Sequence, residues 1–435
     1  MRLLRKPHPL AMFIAWFLVV FLVAFPKGGV KLGGIPITWG YLFLAISTPP
    51  LISVRLLALP LTVSRRLIAA ILMILPIQVL CFYALFFYGI VDPPYAISTV
   101  TGIFFLPGIF LFVYPPFLPY IDGERLSRYF RWSILFAAVW GIFLFILHPI
   151  TGHFVEIPYL TVNVGDYGEL ERTKSINRGL FLKLISTYNN GNLYGVCTLM
   201  LLPLYSLLEP KKWRSWIVRL ALLLTLSRSV WAGLIVDQLL SIGVLLLRQV
   251  NTFPRLYLGG ARKRVLALAI TVALIFASLL FNASRIAFLF DPNLGGRTAM
   301  FGLLASATFL PSHGVGGLQE ILYASAIDKF GYAGGVAFLL WMLSPVLLLF
   351  VDSSAVQSPT RRAALKGLIL YSFLAGIDGG FNFLPTMAFY WFIYMIYLFG
   401  WPTAHGSRHV VAEQLPSPSF SGASEDALVA SASLR

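Results

Sequence analysis

The chain has 435 residues, 58% of them hydrophobic and 11% charged, with 33 Lys+Arg against 17 Asp+Glu and a formal net charge of +16. Soluble proteins carry about 25% charged residues, so this chain lacks the polar groups to cover a water-facing surface. That excludes a soluble enzyme, a secreted disulfide scaffold and a disordered chain, and it makes the basic excess a product of membrane topology rather than a nucleic-acid footprint.

Apolar stretches run near 10–26, 35–54, 67–90, 96–120, 132–150 and 190–208, and continue near 213–226, 229–247, 265–282, 333–351, 364–377 and 385–401. At roughly 20 residues per crossing they predict an all-α polytopic integral membrane protein with about 12 transmembrane helices. The stretches 213–226 and 364–377 are short for full crossings. Arg2, Arg5 and Lys6 precede the first stretch. Its apolar core is too long for a signal peptide and no small-x-small site follows, so it is predicted to stay as an uncleaved span. Cys81 and Cys197 both lie in apolar stretches and suggest neither a disulfide nor a metal site.

With the N-terminus inside, 23 of the 33 basic residues fall on the inner segments, Arg65–Arg66, Lys211–Lys212, Arg262–Lys263–Arg264 and Arg361–Arg362 among them. This bias predicts an even number of spans with both termini in the cytoplasm. Residues 1–401 then form one transmembrane domain. The Ser-, Ala- and Pro-rich segment 402–435 reads as a disordered cytoplasmic tail. Counting Asp237 and Asp352 with the inner face puts nearly all of the net charge there and leaves the outer face close to neutral.

Two predicted outer loops stand out by length, near 151–189 and 283–332. The first carries Arg172, Lys174, Arg178 and Lys183 beside Glu156, Asp166, Glu169 and Glu171; the second carries Arg285, Arg297, His313, Glu320 and Asp328. Polar groups gathered on one face of an apolar bundle are where chemistry is expected. In Ser186-Thr-Tyr-Asn-Asn-Gly-Asn192, Asn189 and Asn192 stand where amides can cap a helix or bind sugar hydroxyls. In Thr225-Leu-Ser-Arg-Ser-Val-Trp231, Arg228 sits between two apolar runs, able to snorkel or to offer its planar fork to a diphosphate. Gly295-Gly-Arg-Thr-Ala-Met300 opens another apolar run, where Arg297 joins the first amides of a helix in an anion site or is a solvated first-turn residue. Pro311-Ser-His-Gly-Val-Gly-Gly-Leu-Gln-Glu320 holds His313 and Glu320 as acid–base groups, with Tyr323 one turn later. There is no Walker loop, and no Asp-x-Asp or His-x-x-x-His pattern for a catalytic metal, so neither ATP-driven transport nor a metal-dependent nucleotide-sugar enzyme is indicated.

In this order, over about 185–400, the motifs resemble those of the O-antigen ligase and polymerase family of bacterial inner-membrane proteins. They are Tyr188-Asn-Asn-Gly-Asn192, Thr225-Leu-Ser-Arg-Ser-Val-Trp231, Arg297, Pro311 to Gly316, and Glu320-x-x-Tyr323 through Phe330-Gly331. The resemblance implies a GT-C-type bundle with two large periplasmic loops and metal-independent glycosyl transfer at the periplasmic face, without cofactor or nucleotide. The substrates it implies are oligosaccharide repeat units on undecaprenyl diphosphate, held in membrane lipid. A chain-length regulator is the further partner it allows, and nucleic acid is not one. Arg228 and Arg297 would bind the diphosphate and stabilise the leaving group, and a general base would activate the acceptor hydroxyl. Ligases typically carry a His-Asn pair at the position eleven residues before the helix glycine; here that position is Glu320, followed by Ile321. This favours a polymerase with Glu320 as base. Arg172, Arg178 and Arg285 would serve, with Asn189, Asn192, His313 and Tyr323, in substrate binding. The alternatives are a ligase that moves polymer onto lipid A core and a lipid-linked oligosaccharide transporter or flippase. A transporter would be expected to show two related halves, and no such repeat is visible.

Overall fold

A computed structural model describes residues 7–32, 35–58, 64–170, 177–178, 181–251, 302, 304–352, 358–382 and 385–402. The protein is mostly helical (75%). The described helices are α1 Pro9–Ala24, α2 Trp39–Ala58, α3 Arg65–Tyr88, α4 Pro93–Val113, α5 Gly123–Thr151 and α6 Gly191–Leu208. They continue as α7 Lys212–Leu224, α8 Arg228–Asn251, α9 Leu322–Val351, α10 Pro359–Ala375 and α11 Thr386–Phe399. Two antiparallel hairpins join them, β1 Gly29–Leu32 with β2 Ile35–Thr38 and β3 Asn177–Arg178 with β4 Phe181–Leu182.

Local chemistry sets several boundaries. Ser64 accepts from the Leu67 amide at the start of α3, and Asp122 accepts from the Glu124 and Arg125 amides at the start of α5. Gly152, at φ +75°, closes α5 in the left-handed conformation. In α9, Gly331 breaks the helix with φ +72°. The amides of Tyr332 and Ala333 donate instead to the Thr308 and Phe309 carbonyls. A Cβ at Gly331 would lie 2.5 Å from the Phe309 oxygen, so both the conformation and the close approach require glycine.

Five of these helices, α3, α4, α5, α6 and α9, are long and apolar enough to cross a membrane. The protein is membrane-embedded. Phe86, Ile150, Val336 and Phe350 are each at least 70% exposed on helix faces, as expected where lipid is the solvent. At the centre stands α6, whose apolar stretch is 78% buried against 33% for α3 and α5. It packs on α10, which packs on α11, while α9 lies along α3. Trp341 stacks on Trp391 at 5.4 Å and 13°, and the Trp391 indole donates to the Gly102 carbonyl at 2.8 Å.

Contacts between connecting segments fall into two sets, one at each end of the bundle. One set joins 28–29 to 160–163, 89–91 to 315, 184 to 224, and 318–320 to 379–382. The other joins His8 to Tyr120, Arg66 to Asp352, and Trp401 to Gly123 and Ser127. This is the alternation expected of a multi-pass bundle. The apolar stretch near 265–282 lies outside the described residues.

Within the bundle, Asp237 of α8 is 1% exposed. It faces Arg219 of α7 at 3.2 Å and Lys366 of α10 at 2.5 Å. The structure thus folds three residues that are far apart in sequence into one ionic cluster between three helices.

Candidate functional site

The end of the bundle that carries the longer loops gathers segments far apart in sequence. The first is 184–192. The Leu184 amide donates to the Leu224 carbonyl at 3.1 Å, bringing this segment against the turn between α7 and α8. A short turn follows over Ser186–Tyr188, and Asn189 adopts a left-handed conformation at φ +55°, which asparagine tolerates better than most residues. Asn190 is the cap of α6, its Oδ1 accepting from the Asn192 and Leu193 amides at 2.9 and 3.3 Å. Gly191 has no room for a side chain, because a Cβ there would lie 2.5 Å from the Leu184 oxygen.

Each residue of the Asn-Asn-Gly-Asn run thus has its own task. Asn189 donates to the Thr161 carbonyl at 3.1 Å, tying the 151–170 loop down. Asn192 donates to Asp378 Oδ2 at 2.8 Å and accepts from the Lys183 ammonium at 3.4 Å.

Arg228 opens α8. The chain turns sharply before it, with Leu226 at φ +48°. Ser227 and Ser229 pair through their hydroxyls at 2.9 Å, and the Trp231 indole donates to the Leu223 carbonyl at 3.0 Å. One turn inward, Gly195 of α6 packs against Val230 and Gly233 of α8 against Leu199. These small residues let the two helices approach closely, so Arg228 and Asn192 stand at similar heights. A guanidinium in the first turn of a helix adds its charge to the positive end of the helix dipole.

The third segment is 311–320. Gly314 presses on the carbonyls of Tyr88 and Gly89, and the Val315 amide and carbonyl bond to Gly89 and Val91. Gly317 presses on Tyr95 and Asn382. The Asn382 amide clamps this loop from the far side: its Oδ1 accepts from the Leu318 amide at 3.1 Å and its Nδ2 donates to the Leu318 carbonyl. Gly316 alone of the three glycines faces open space.

Beside this loop lies a cavity of about 480 Å³, lined by Asp92, His313, Gly316, Glu320, Lys329 and Asn382 among others. The Glu320 side chain is exposed in it, while its carbonyl accepts from the Gly379 amide at 2.9 Å. Asp378, 5% exposed, is thereby next in chain to a direct contact of Glu320. His313 lines the same cavity, with Nδ1 3.3 Å from the Ser312 hydroxyl. Tyr323 turns instead into the helix packing, its hydroxyl donating to the Ser372 carbonyl at 2.8 Å.

The structure therefore brings Asn189, Asn192, Arg228, His313 and Glu320 to one end of the bundle. Arg172, Arg285 and Arg297 lie outside the described residues; Arg178 forms the β3–β4 hairpin through its backbone. Sequence reasoning missed Asp378, Asn382 and Asp92. The signal was present in Gly376-Ile-Asp378-Gly-Gly-Phe-Asn382, a glycine-rich run with two polar side chains between two apolar stretches.

Comparison with protein-family models, with curated proteins and with solved structures returns no match to this chain.

Proposed function

We propose that this protein is an O-antigen polymerase. In this reading it transfers a glycan from undecaprenyl diphosphate to the non-reducing end of another lipid-linked repeat at the periplasmic face, within a GT-C-type bundle of about 12 spans. One observation carries the reading: the segments that resemble the family's motifs, 188–192, 225–231 and 311–316, lie at one end of a membrane-embedded bundle, and the last of them borders a cavity of about 480 Å³ that Glu320 also lines. Glycosyl transfer between two lipid-linked substrates needs that arrangement, because both reacting ends must leave the lipid and meet in a polar site at its surface.

The roles follow from the chemistry of the groups. The exposed carboxylate of Glu320 takes the proton of the acceptor hydroxyl as it attacks the anomeric carbon. The bond from that carbon to the diphosphate oxygen breaks, and the electron pair leaves with the diphosphate. Arg228, with Arg297, binds the diphosphate and offsets the charge that develops on it. Asn192, held by Asp378 and Lys183, offers its amide to sugar hydroxyls at the same height.

The test is deletion of the gene followed by gel analysis of lipopolysaccharide. Polymerase loss leaves core bearing a single repeat. Bare core with polymer stranded on its lipid carrier would identify a ligase, and bare core without polymer would identify a transporter; either result overturns the proposal.

A further inference from the structure

A second, smaller cavity lies at the same end, between Lys27, just before the β1–β2 hairpin, the 162–170 segment and Asn189. It measures about 210 Å³ and is lined by Lys27, Asn163, Asp166, Glu169 and Asn189, with Val162 and Leu170 at its back. Its walls are fixed. The Asp166 amide donates to the Asn163 carbonyl at 2.9 Å, and the Lys31 ammonium holds Asp166 Oδ1 at 2.7 Å. Gly29 pairs with Asn163 backbone to backbone, and a Cβ on Gly29 would lie 2.1 Å from the Ile37 oxygen. Asn189 forms the floor by its bond to the Thr161 carbonyl.

Asn163 is the informative residue. It is 2% exposed, and its Oδ1 has no hydrogen-bond partner among the described residues. A buried acceptor left unsatisfied costs stability and needs an explanation. That oxygen lies toward Gly29, where an added Cβ would stand 3.0 Å from it; the terminal torsion of an asparagine is soft, and a rotation about it can turn either amide atom toward the cavity that Asn163 lines.

The remaining chemistry narrows the ligand. Lys27 lines the pocket beside two carboxylates, Asp166 and Glu169, and Lys31 pairs with Asp166 from outside the lining, so the site offers dense donors and acceptors with little net charge and no excess of positive charge. A diphosphate or a uronic acid would meet the Asp166 and Glu169 carboxylates and be repelled. The volume lies below the roughly 300–1,000 Å³ of drug-sized sites, room for one ring rather than an oligosaccharide. The 189–192 segment connects this pocket to the larger cavity: Asn189 borders the first, and Asn192 binds Asp378, adjacent in sequence to the Gly379 amide on Glu320.

We propose that this pocket is a saccharide subsite for one neutral pyranose ring, held by Asn163, Asn189 and Glu169. The subsite rests on the glycan-transfer reading for its biological role, since it would seat a sugar of one of the two glycans while the reacting end lies at Glu320. Its binding chemistry can be tested apart from that reading.

The full-length protein in detergent is examined by saturation-transfer NMR with methyl glucoside, methyl galactoside, methyl mannoside and methyl glucuronide. At least one neutral pyranoside should bind saturably and more tightly than the glucuronide, and Asn163→Ala should weaken it at least 10-fold. Glu169 is exposed on the loop, so Glu169→Ala provides a second variant outside the buried packing, with the same loss expected. Absence of pyranoside binding, preference for the glucuronide, or binding unchanged in both variants would overturn the subsite. The two proposals fail separately. Normal lipopolysaccharide after gene deletion, with pyranoside binding still sensitive to Asn163, removes the polymerase reading and keeps the subsite. Single-repeat lipopolysaccharide with binding insensitive to both variants does the reverse.

Discussion

Glu320 and Arg228 carry the proposed reaction, and each makes a quantitative demand. Replacing Glu320 by glutamine preserves size and removes the proton acceptor. Chain extension should fall by about 10²–10⁴-fold at unchanged protein level, read as the repeat ladder on a lipopolysaccharide gel. A full ladder in the Glu320→Gln strain would eliminate this residue as the base. For Arg228, alanine should cost on the order of 10²–10³-fold, as removal of one charge-stabilising donor does. Lysine should recover only part of it, because a point charge cannot reproduce a two-pronged hydrogen bond. Full recovery by Arg228→Lys would mean that charge alone is used there. Lys31 belongs to the same scale. The hydrogen bond that Lys31 donates to Asp166, then the charge of that carboxylate, hold the Lys31 pKa above the ordinary lysine value, against a smaller opposing effect of burial. The pair's contribution is therefore complete below the ordinary lysine pKa and disappears as pH rises through the raised one. Both side chains are more than a third exposed, so solvent screens it to a small value.

At the scale of elements, the sequence shows where helices are and is silent on which faces meet. The stretch predicted at 190–208 is observed as α6, Gly191–Leu208, because Asn190 caps it and its apolar run ends at Glu209. In the same way, 385–401 becomes Thr386–Phe399. The Asn192–Asp378 bond, across 186 positions, leaves no local trace. Likewise, Asp237 looks like an inner-face charge until α7 and α10 are placed beside α8. Replacement of that carboxylate would remove the buried anion that Arg219 and Lys366 share. Asp237→Asn should destabilise the protein by about 3–5 kcal/mol, seen as a lower unfolding temperature in detergent. Replacing all three residues with apolar side chains of similar volume should restore most of the loss, since a buried ionic cluster adds little net stability over packed hydrocarbon. Gly331→Ala should cost about 1–3 kcal/mol through forced backbone strain.

At the scale of the molecule, the charge distribution predicts which loops face the cytoplasm, while the contacts show only that the connecting segments gather in two sets, one at each end of the bundle. What it could not predict is that the polar end is split into two cavities, since both are built from side chains that only tertiary packing brings together. Sidedness itself is open to a direct measurement. Cys81 and Cys197 are both buried, so the native background is silent to labelling. A membrane-impermeant maleimide applied from the periplasm should label Ser312→Cys, an exposed position beside the larger cavity, and leave Arg128→Cys at the opposite end unlabelled. The reverse pattern would invert the topology and put the proposed site on the wrong side for a lipid-linked donor.

The break at Gly331 has a consequence for how this protein can diversify. Because α9 surrenders two amides to Thr308 and Phe309, the chain from there to Glu320 is pinned at four heights: by Tyr332 and Ala333, by Gly89 and Val91, by Asn382, and by Gly379. A segment fastened so often has a fixed length. An inserted residue would have to detach one of those anchors and carry the proposed base out of place. Under the proposed function, new sugar specificities would then arise by exchanging side chains around the cavity rim, such as Tyr95 and Gln319, and not by growing the loop that carries the proposed base.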